Sequence, residues 1–233
     1  MQLTCPIRDV RPATERARTV RIALGGRPFP YLAGQAILIG LPGIDRRRAY
    51  SIAAAPEEAA REDCLELLVA LDAEGNVGGD LHLERGTLVE IEGPLGRFTL
   101  PTRPVERRFL FIAGGTGIAP LRAMLHHALR VPHDAIGLLY SARNPGDFAY
   151  EQEFRNLAAS GRIELELRVT REVAPGNWSG VRGRLTRADL VPLVHGQTTL
   201  CFVCGPEALV TDIPEILVEL GVPRERIRTE EWQ

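Results

Sequence analysis

The chain has 233 residues, with 28 basic residues, all of them Arg, against 30 acidic ones, and a formal net charge of −2. That length buries a sizeable core in one large domain or two small ones. The near-neutral balance argues against nucleic acid or an anionic membrane as partner, and no apolar run of about 18 residues is present to span a bilayer.

From the start of the chain, residues 1–100 read as all-β. Short apolar and β-branched runs fall at 3–10, 19–24, 35–41, 49–52, 65–71 and 88–92, separated by Gly, Pro and charged turns. This spacing predicts an antiparallel barrel or sandwich, with one short helix near 79–84. Arg8 and Asp9 fall where an export signal needs an apolar stretch, so a cytoplasmic protein is expected. Residues 101–108 are polar and hold two prolines, which places a domain boundary there, giving domains 1–104 and 105–233.

From residue 109 the pattern changes. Apolar runs at 109–113, 136–140, 163–169 and 200–203 alternate with helical spacing at 120–129, 150–159, 187–194 and 206–220. Such alternation implies an α/β doubly wound domain, a parallel sheet with helices on both faces. Gly221 supplies a stop for the last helix, and Pro214 inside it predicts a kink. The turns at 114–117, 141–143, 170–171 and 204–206 each follow a strand. They should lie along one edge of the sheet, where ligands bind such folds.

The first of these turns sits in F-L-F-I-A-G-G-T-G-I-A-P at 109–120. A strand, a glycine turn and a helix N-terminus with Pro120 at its start favour an anion such as a pyrophosphate. Read alone, the incomplete G-x-G-x-x-P pattern serves a tight packing turn equally well. In the first half, Arg48, Tyr50 and Ser51 fall on a strand, Arg48 and Tyr50 on one face and Ser51 on the other. An Arg neutralises a pyrophosphate, a Tyr stacks and a Ser donates a hydrogen bond; an edge strand with a half-buried Tyr is the alternative. Cys5, Cys64, Cys201 and Cys204 lack the spacing of a zinc or iron–sulfur site. Cys201 and Cys204, three apart on a strand, point to opposite faces. His126 and His127 are adjacent on a helix and do not face each other, so no metal is expected. Trp178 reads as a packing anchor.

In order along the chain stand R-x-Y-S at 48–51, E-G-P-L-G-R-F at 92–98, G-G-T-G-I-A-P at 114–120, C-G-P at 204–206 and E-E-W at 230–232. Together they resemble the ferredoxin–NADP reductase family of flavoproteins, and within it the compact bacterial reductases that feed oxygenases and other redox partners. The resemblance covers essentially the whole chain. It implies an FAD-binding β-barrel followed by an NAD(P)-binding domain, with FAD as cofactor and NADH or NADPH as electron donor. Arg48 would pair with the FAD pyrophosphate, Tyr50 would stack on the isoalloxazine, and the Ser51 hydroxyl would bond to flavin N5. Val69, Leu71, Val77, Gly78 and Gly79 would line the ribityl and phosphate. Gly115 and Gly117 would admit the nicotinamide dinucleotide, with Thr116 between it and the flavin. Cys204, followed by Gly205 and Pro206, would lie near nicotinamide C4. Glu230 would relay protons, and Trp232 would cover the flavin face and move aside for nicotinamide.

The chain departs from that pattern at two points. Gly78 stands where family members usually carry Ser or Thr, which implies weaker FAD binding or competition from FMN, and Gln233 follows the terminal aromatic. With no iron–sulfur cysteine set, the expected acceptor is a separate protein such as a ferredoxin or an oxygenase component, and the Arg46–Arg48 run suits an acidic one. A reductase of free flavin, or a flavin-holding electron-transfer subunit, is the alternative. Ser141 and Arg143 stand where an ordinary dinucleotide fold carries an acid for the ribose, and Thr170 and Arg171, with Arg182 or Arg184 beyond, suit a 2′-phosphate or serve as ordinary surface charge, which slightly favours acceptance of NADPH and leaves NADH open.

Overall fold

The structure is a computed structural model, and it describes residues 1–171, 178–194 and 198–231. The chain divides into two compact units, one of Met1–Thr102 with Arg122–His127, the other of Arg103–Leu121 with Ala128–Gln233.

The first unit is an antiparallel six-stranded sheet of β1 (Gln2–Thr14), β2 (Ala17–Ala23), β3 (Ala36–Gly40), β4 (Arg47–Ser51), β5 (Cys64–Ala70) and β6 (Leu88–Leu95). Its spatial order is β4-β3-β6-β1-β2-β5. Alternate residues point inward, as a period of two requires. Val20 and Ile22 from β2, Ile37 and Ile39 from β3, and Leu65 and Leu67 from β5 meet in one core. The two outer strands also meet: Ile52 bridges Leu67, and the Ala53 N–H donates to Glu66 O at 2.7 Å. The sheet is thus a barrel rather than a sandwich, and closure removes the exposed edges.

Two details differ from the sequence reading. The segment after β4 forms a helix, α1 (Pro56–Glu62), with Pro at its start and Glu57 and Glu58 in its first turn. Both features suit a helix N-terminus, and the Glu58 carboxylate accepts the Ala55 N–H at 3.0 Å. The expected short helix near 79–84 is a single 3-10 turn, Gly79–Leu81.

The second unit holds β7 (Arg108–Gly114), α2 (Ile118–Ala128), β8 (Ala135–Ala142), α3 (Glu151–Ala159), β9 (Glu164–Val169), β10 (Val181–Arg182), α4 (Arg187–Leu190), β11 (Thr199–Gly205), α5 (Glu207–Glu219) and β12 (Ile227–Glu231). Residues Arg122–His127 of α2 cluster with the first unit. Every strand pair is parallel, in the order β10-β9-β8-β7-β11-β12. Leu110 and Ile112 of β7, with Cys201 and Val203 of β11, pack under Ile213 and Leu217 of α5. On the opposite face Tyr140 of β8 meets Phe154 of α3 edge to face, with ring centroids 6.4 Å apart. Helix α2 begins two residues before Pro120, which still falls among the first N–H groups that need no intrahelical acceptor. Helix α5 runs on through Pro214, and Gly221 follows it with φ 88°. Strand β12 was not apparent in the charged sequence I-R-T-E-E, whose place in the sheet comes from pairing with β11. No helix among the described residues is long and apolar enough to cross a membrane.

The chain passes from β7 to β8 and β9 on one side, then returns to β11 and β12 on the other. The carboxyl ends of β7 and β11 therefore flank a topological switch point, the place where such sheets hold ligands.

Candidate functional site

In the first unit, register places the side chains. Tyr50 lies opposite Ile37, and Arg48 opposite Ile39, so both share one face of β4, while Ser51 lies opposite Ala36 on the other. Burial pushes the Tyr50 hydroxyl above its ordinary range, with the neighbouring Arg48 charge opposing the shift. Ser51 is 2% exposed, yet its hydroxyl makes no hydrogen bond among the described residues. Its oxygen is not sealed from solvent, and so it is open to a ligand. It suits the flavin that the barrel would hold. Gly79 packs against Arg48, whose Nη2 would stand 3.2 Å from a Cβ there. The lack of a side chain gives the guanidinium its place.

Arg48 is itself engaged. Its Nε and Nη2 donate to Asp80 Oδ1 at 3.1 and 2.6 Å, and Arg46 Nη1 lies 2.6 Å from Asp80 Oδ2. Hydrogen bonding from Arg48 holds the Asp80 carboxyl below the usual range. Arg47 pairs with Glu90 at 2.8 Å. Each arginine of the 46–48 run thus meets a carboxylate.

Leu71 and Val77 pair across a tight turn, which brings Gly78 and Gly79 beside β5. Val69 is 0% exposed within the barrel core. Its side chain faces the interior of the barrel.

Sequence reasoning missed Arg122. Its Nη1 donates to Ala53 O at 2.8 Å, two residues beyond Ser51, and lies 3.4 Å from Glu58 Oε2. His126 meets Glu58 at 2.9 Å and His127 meets Glu57 at 2.7 Å. Burial would raise the Glu58 carboxyl, but His126 and Arg122 bring it down to about 2. The signal was present: an arginine on the apolar stripe of Ile118 and Leu125 must find a buried acceptor.

In the second unit the glycine turn meets the end of β11. A Cβ on Gly117 would lie 2.5 Å from Cys204 O, so this glycine serves close backbone packing. Gly115, with φ 55°, has nothing within 4 Å of a Cβ, and Thr116 beside it is half-buried. The Cβ direction of Gly115 opens on free space, whereas that of Gly117 is filled by the β11 backbone. Gly205 is buried, and Pro206 precedes α5 as its N-cap.

Register sets Cys204 of β11 beside Glu230 of β12. Cys204 is fully buried, and burial followed by the Glu230 charge pushes its thiol well up, so it is a neutral thiol. Burial lifts the Glu230 carboxyl to about 7, a value suited to holding or releasing a proton near neutrality. Burial likewise raises Cys201, to about 12, on the opposite side of β11. All four cysteines are free. Trp232 lies outside the described residues.

At the ends of β8 and β9 the hydroxyls are occupied. Ser141 Oγ donates to Ala113 O at 3.0 Å and Thr170 Oγ1 to Ala142 O at 3.1 Å. In this structure these two hydroxyls tie neighbouring strands together, and each oxygen keeps its acceptor lone pairs. Arg143 and Arg171 are different. Their backbones are linked, Arg171 N–H to Arg143 O at 3.2 Å, both side chains are exposed, and neither forms an ion pair among the described residues. Arg182 Nη2 is bound to Trp178 O at 2.9 Å. Trp178 stacks on Phe148 with centroids 5.3 Å apart, in agreement with an anchoring role.

Residues 111–215 match the family model for the oxidoreductase NAD-binding domain. The chain is 35% identical over 243 residues to ferredoxin–NADP reductase B of Sorangium cellulosum, covering 96% of this chain and 94% of that one. It is 38% identical over 191 residues to the reductase component DmpP of phenol 2-monooxygenase from a Pseudomonas species, covering 79% and 52%. Among solved structures it resembles the Amycolatopsis cytochrome P450 reductase GcoB, with a TM-score of 0.84 and 29% identity over 99% of this chain and 69% of that one. A ferredoxin NADP+ reductase from Neisseria gonorrhoeae has the same fold, with a TM-score of 0.80 at 21% identity, over 99% and 98%.

Proposed function

The chain belongs to the ferredoxin–NADP reductase family of NAD(P)H-dependent, FAD-containing oxidoreductases, and from that premise we propose that it passes electrons from NADPH to a separate redox protein. The observation that carries this reading is the switch point between β7 and β11. It sets the Gly115 turn, Cys204 and Glu230 together on one sheet edge.

When bound, FAD supplies the conversion of a two-electron hydride into single electrons. The chain supplies binding and orientation, which is most of what hydride transfer requires. In the barrel, Arg48 binds the pyrophosphate, Tyr50 offers its ring, and the Ser51 hydroxyl gives the hydrogen bond it otherwise lacks. Leu71, Val77, Gly78 and Gly79 form the wall beside them. In the second unit Gly115 and Thr116 admit the dinucleotide. The neutral Cys204 thiol packs against the nicotinamide without adding charge, and Glu230 holds a proton near it. Trp232 takes the flavin-covering role.

Arg143 and Arg171 are two exposed cations without partners among the described residues, at adjacent strand ends. They fit the 2′-phosphate of NADPH through charge-assisted hydrogen bonds. The acceptor is an oxygenase component or a ferredoxin, as the names of the relatives suggest for those proteins.

The test is a visible spectrum of the purified protein under anaerobic conditions, with NADPH and NADH added separately. Prompt bleaching of a flavin band by NADPH supports the reading. A flavin band that neither nucleotide bleaches makes the chain a flavin-holding subunit, and equal bleaching by both removes the selective role of Arg143 and Arg171.

A further inference from the structure

The residue that anchors the flavin pyrophosphate in the proposed function already has an anionic partner. Asp80 takes two hydrogen bonds from Arg48 on one carboxylate oxygen and pairs with Arg46 through the other. Both arginines of this face are therefore offset by a single carboxylate carried on the adjoining 3-10 turn. The pair is accessible to solvent, with side-chain exposures of 41% for Arg48 and 36% for Asp80. Asp80 can thus turn aside into water when a stronger anion arrives.

The surroundings offer the phosphate little else. Gly78, two residues before Asp80, carries no hydroxyl. Its φ is +73°, and a Cβ there would lie 2.7 Å from Leu83 Cγ, so a hydroxyl-bearing residue does not fit without a shift of that side chain. Arg48 and Arg46 are the cations of this turn, and Asp80 sits on both.

We propose that Asp80 is an internal counter-anion that competes with the flavin pyrophosphate for Arg48 and Arg46, and so sets how tightly the protein holds FAD. Arg46, Arg48 and Asp80 together carry a charge of +1, and the pyrophosphate brings two negative charges beside Asp80. Removing the carboxylate leaves +2 and two free guanidinium groups. Asp80 thus makes FAD exchangeable, where the arginines alone would hold it firmly. The inference rests on the reading that Arg48 binds the pyrophosphate.

The experiment measures FAD binding to the apoprotein by quenching of flavin fluorescence, for the wild type and for Asp80→Asn, Asp80→Glu and Arg48→Ala. Asp80→Asn should lower the Kd for FAD roughly tenfold at low salt, and the advantage should shrink at about 0.5 M NaCl as the charges are screened. Asp80→Glu keeps the charge and should stay near the wild type. Arg48→Ala should weaken binding. Unchanged or weaker binding by Asp80→Asn, with Arg48→Ala still weakened, overturns the role of Asp80 alone, because Asp80 would then only hold Arg48 in position. Unaltered binding by Arg48→Ala overturns both the anchoring role of Arg48 and this inference.

Discussion

Glu230 shows how far one residue depends on its neighbours. In sequence it is one of two adjacent glutamates near the end of the chain; in the sheet it is beside Cys204 and half-buried. Burial raises its carboxyl to about 7, above its unfolded value, so the folded state binds the extra proton. Its stability contribution is complete below about pH 4.5 and is lost as pH rises through 7. Glu230→Gln should therefore melt higher than the wild type at pH 8.5, by about 1–2 kcal/mol, with little difference at pH 4.5. The same variant should lose the inflection near pH 7 in the rate of flavin reduction measured by stopped flow. An unchanged profile would remove Glu230 from proton handling. Arg143 calls for a different measurement. Arg143→Ser should raise KM for NADPH by about tenfold, the worth of a charged hydrogen bond, and leave KM for NADH unchanged. The motif letters named both residues, but the physical state of Glu230 and the exposure of Arg143 depend on folding.

At the scale of elements, the glycine turn and β11 act as one piece. The Gly117 Cα has the Cys204 carbonyl directly above it, at a distance no Cβ tolerates. Gly117→Ala should cost about 1–3 kcal/mol by overpacking and lower the melting temperature. An unaltered melt would mean the turn yields freely. The apolar runs showed where β7 and β11 lie, since buried parallel strands read as continuous hydrophobic stretches. They did not show that β7 and β11 are neighbours, which the strand order decides. Helix α1 was not read from the sequence, although Pro56 with Glu57 and Glu58 suits a helix start. Nor was strand β12, because its polar residues carry no period and its hydrogen bonds to β11 define it.

At the scale of the whole molecule, the first unit depends on a buried polar group as well as on its barrel core. Glu58 joins α1, the Ala55 N–H, Arg122 and His126. Its carboxyl, lowered to about 2, contributes stability fully present above about pH 4.5 and lost as pH falls through 2. Glu58→Gln should lose about 2 kcal/mol at pH 7, with the difference vanishing near pH 2. An equal loss at both values would point to packing instead of charge. The order of motifs from residue 48 to residue 232 pointed to a two-part reductase, and the barrel, the parallel sheet and the relatives agree.

The sequence by itself determined the two kinds of architecture, the approximate positions of most strands, and the chemistry available at residues 48–51, 114–120 and 204–206. Local period, turn residues and short motifs encode these, and each can be read within a few residues of chain. Tertiary structure alone decided barrel over sandwich, the neighbours of Cys204, the ties that occupy Ser141 and Thr170, and the carboxylate that Arg48 meets. Those outcomes depend on groups brought together from distant parts of the chain. Asp80 lies 32 residues beyond Arg48, and no local pattern records that they touch.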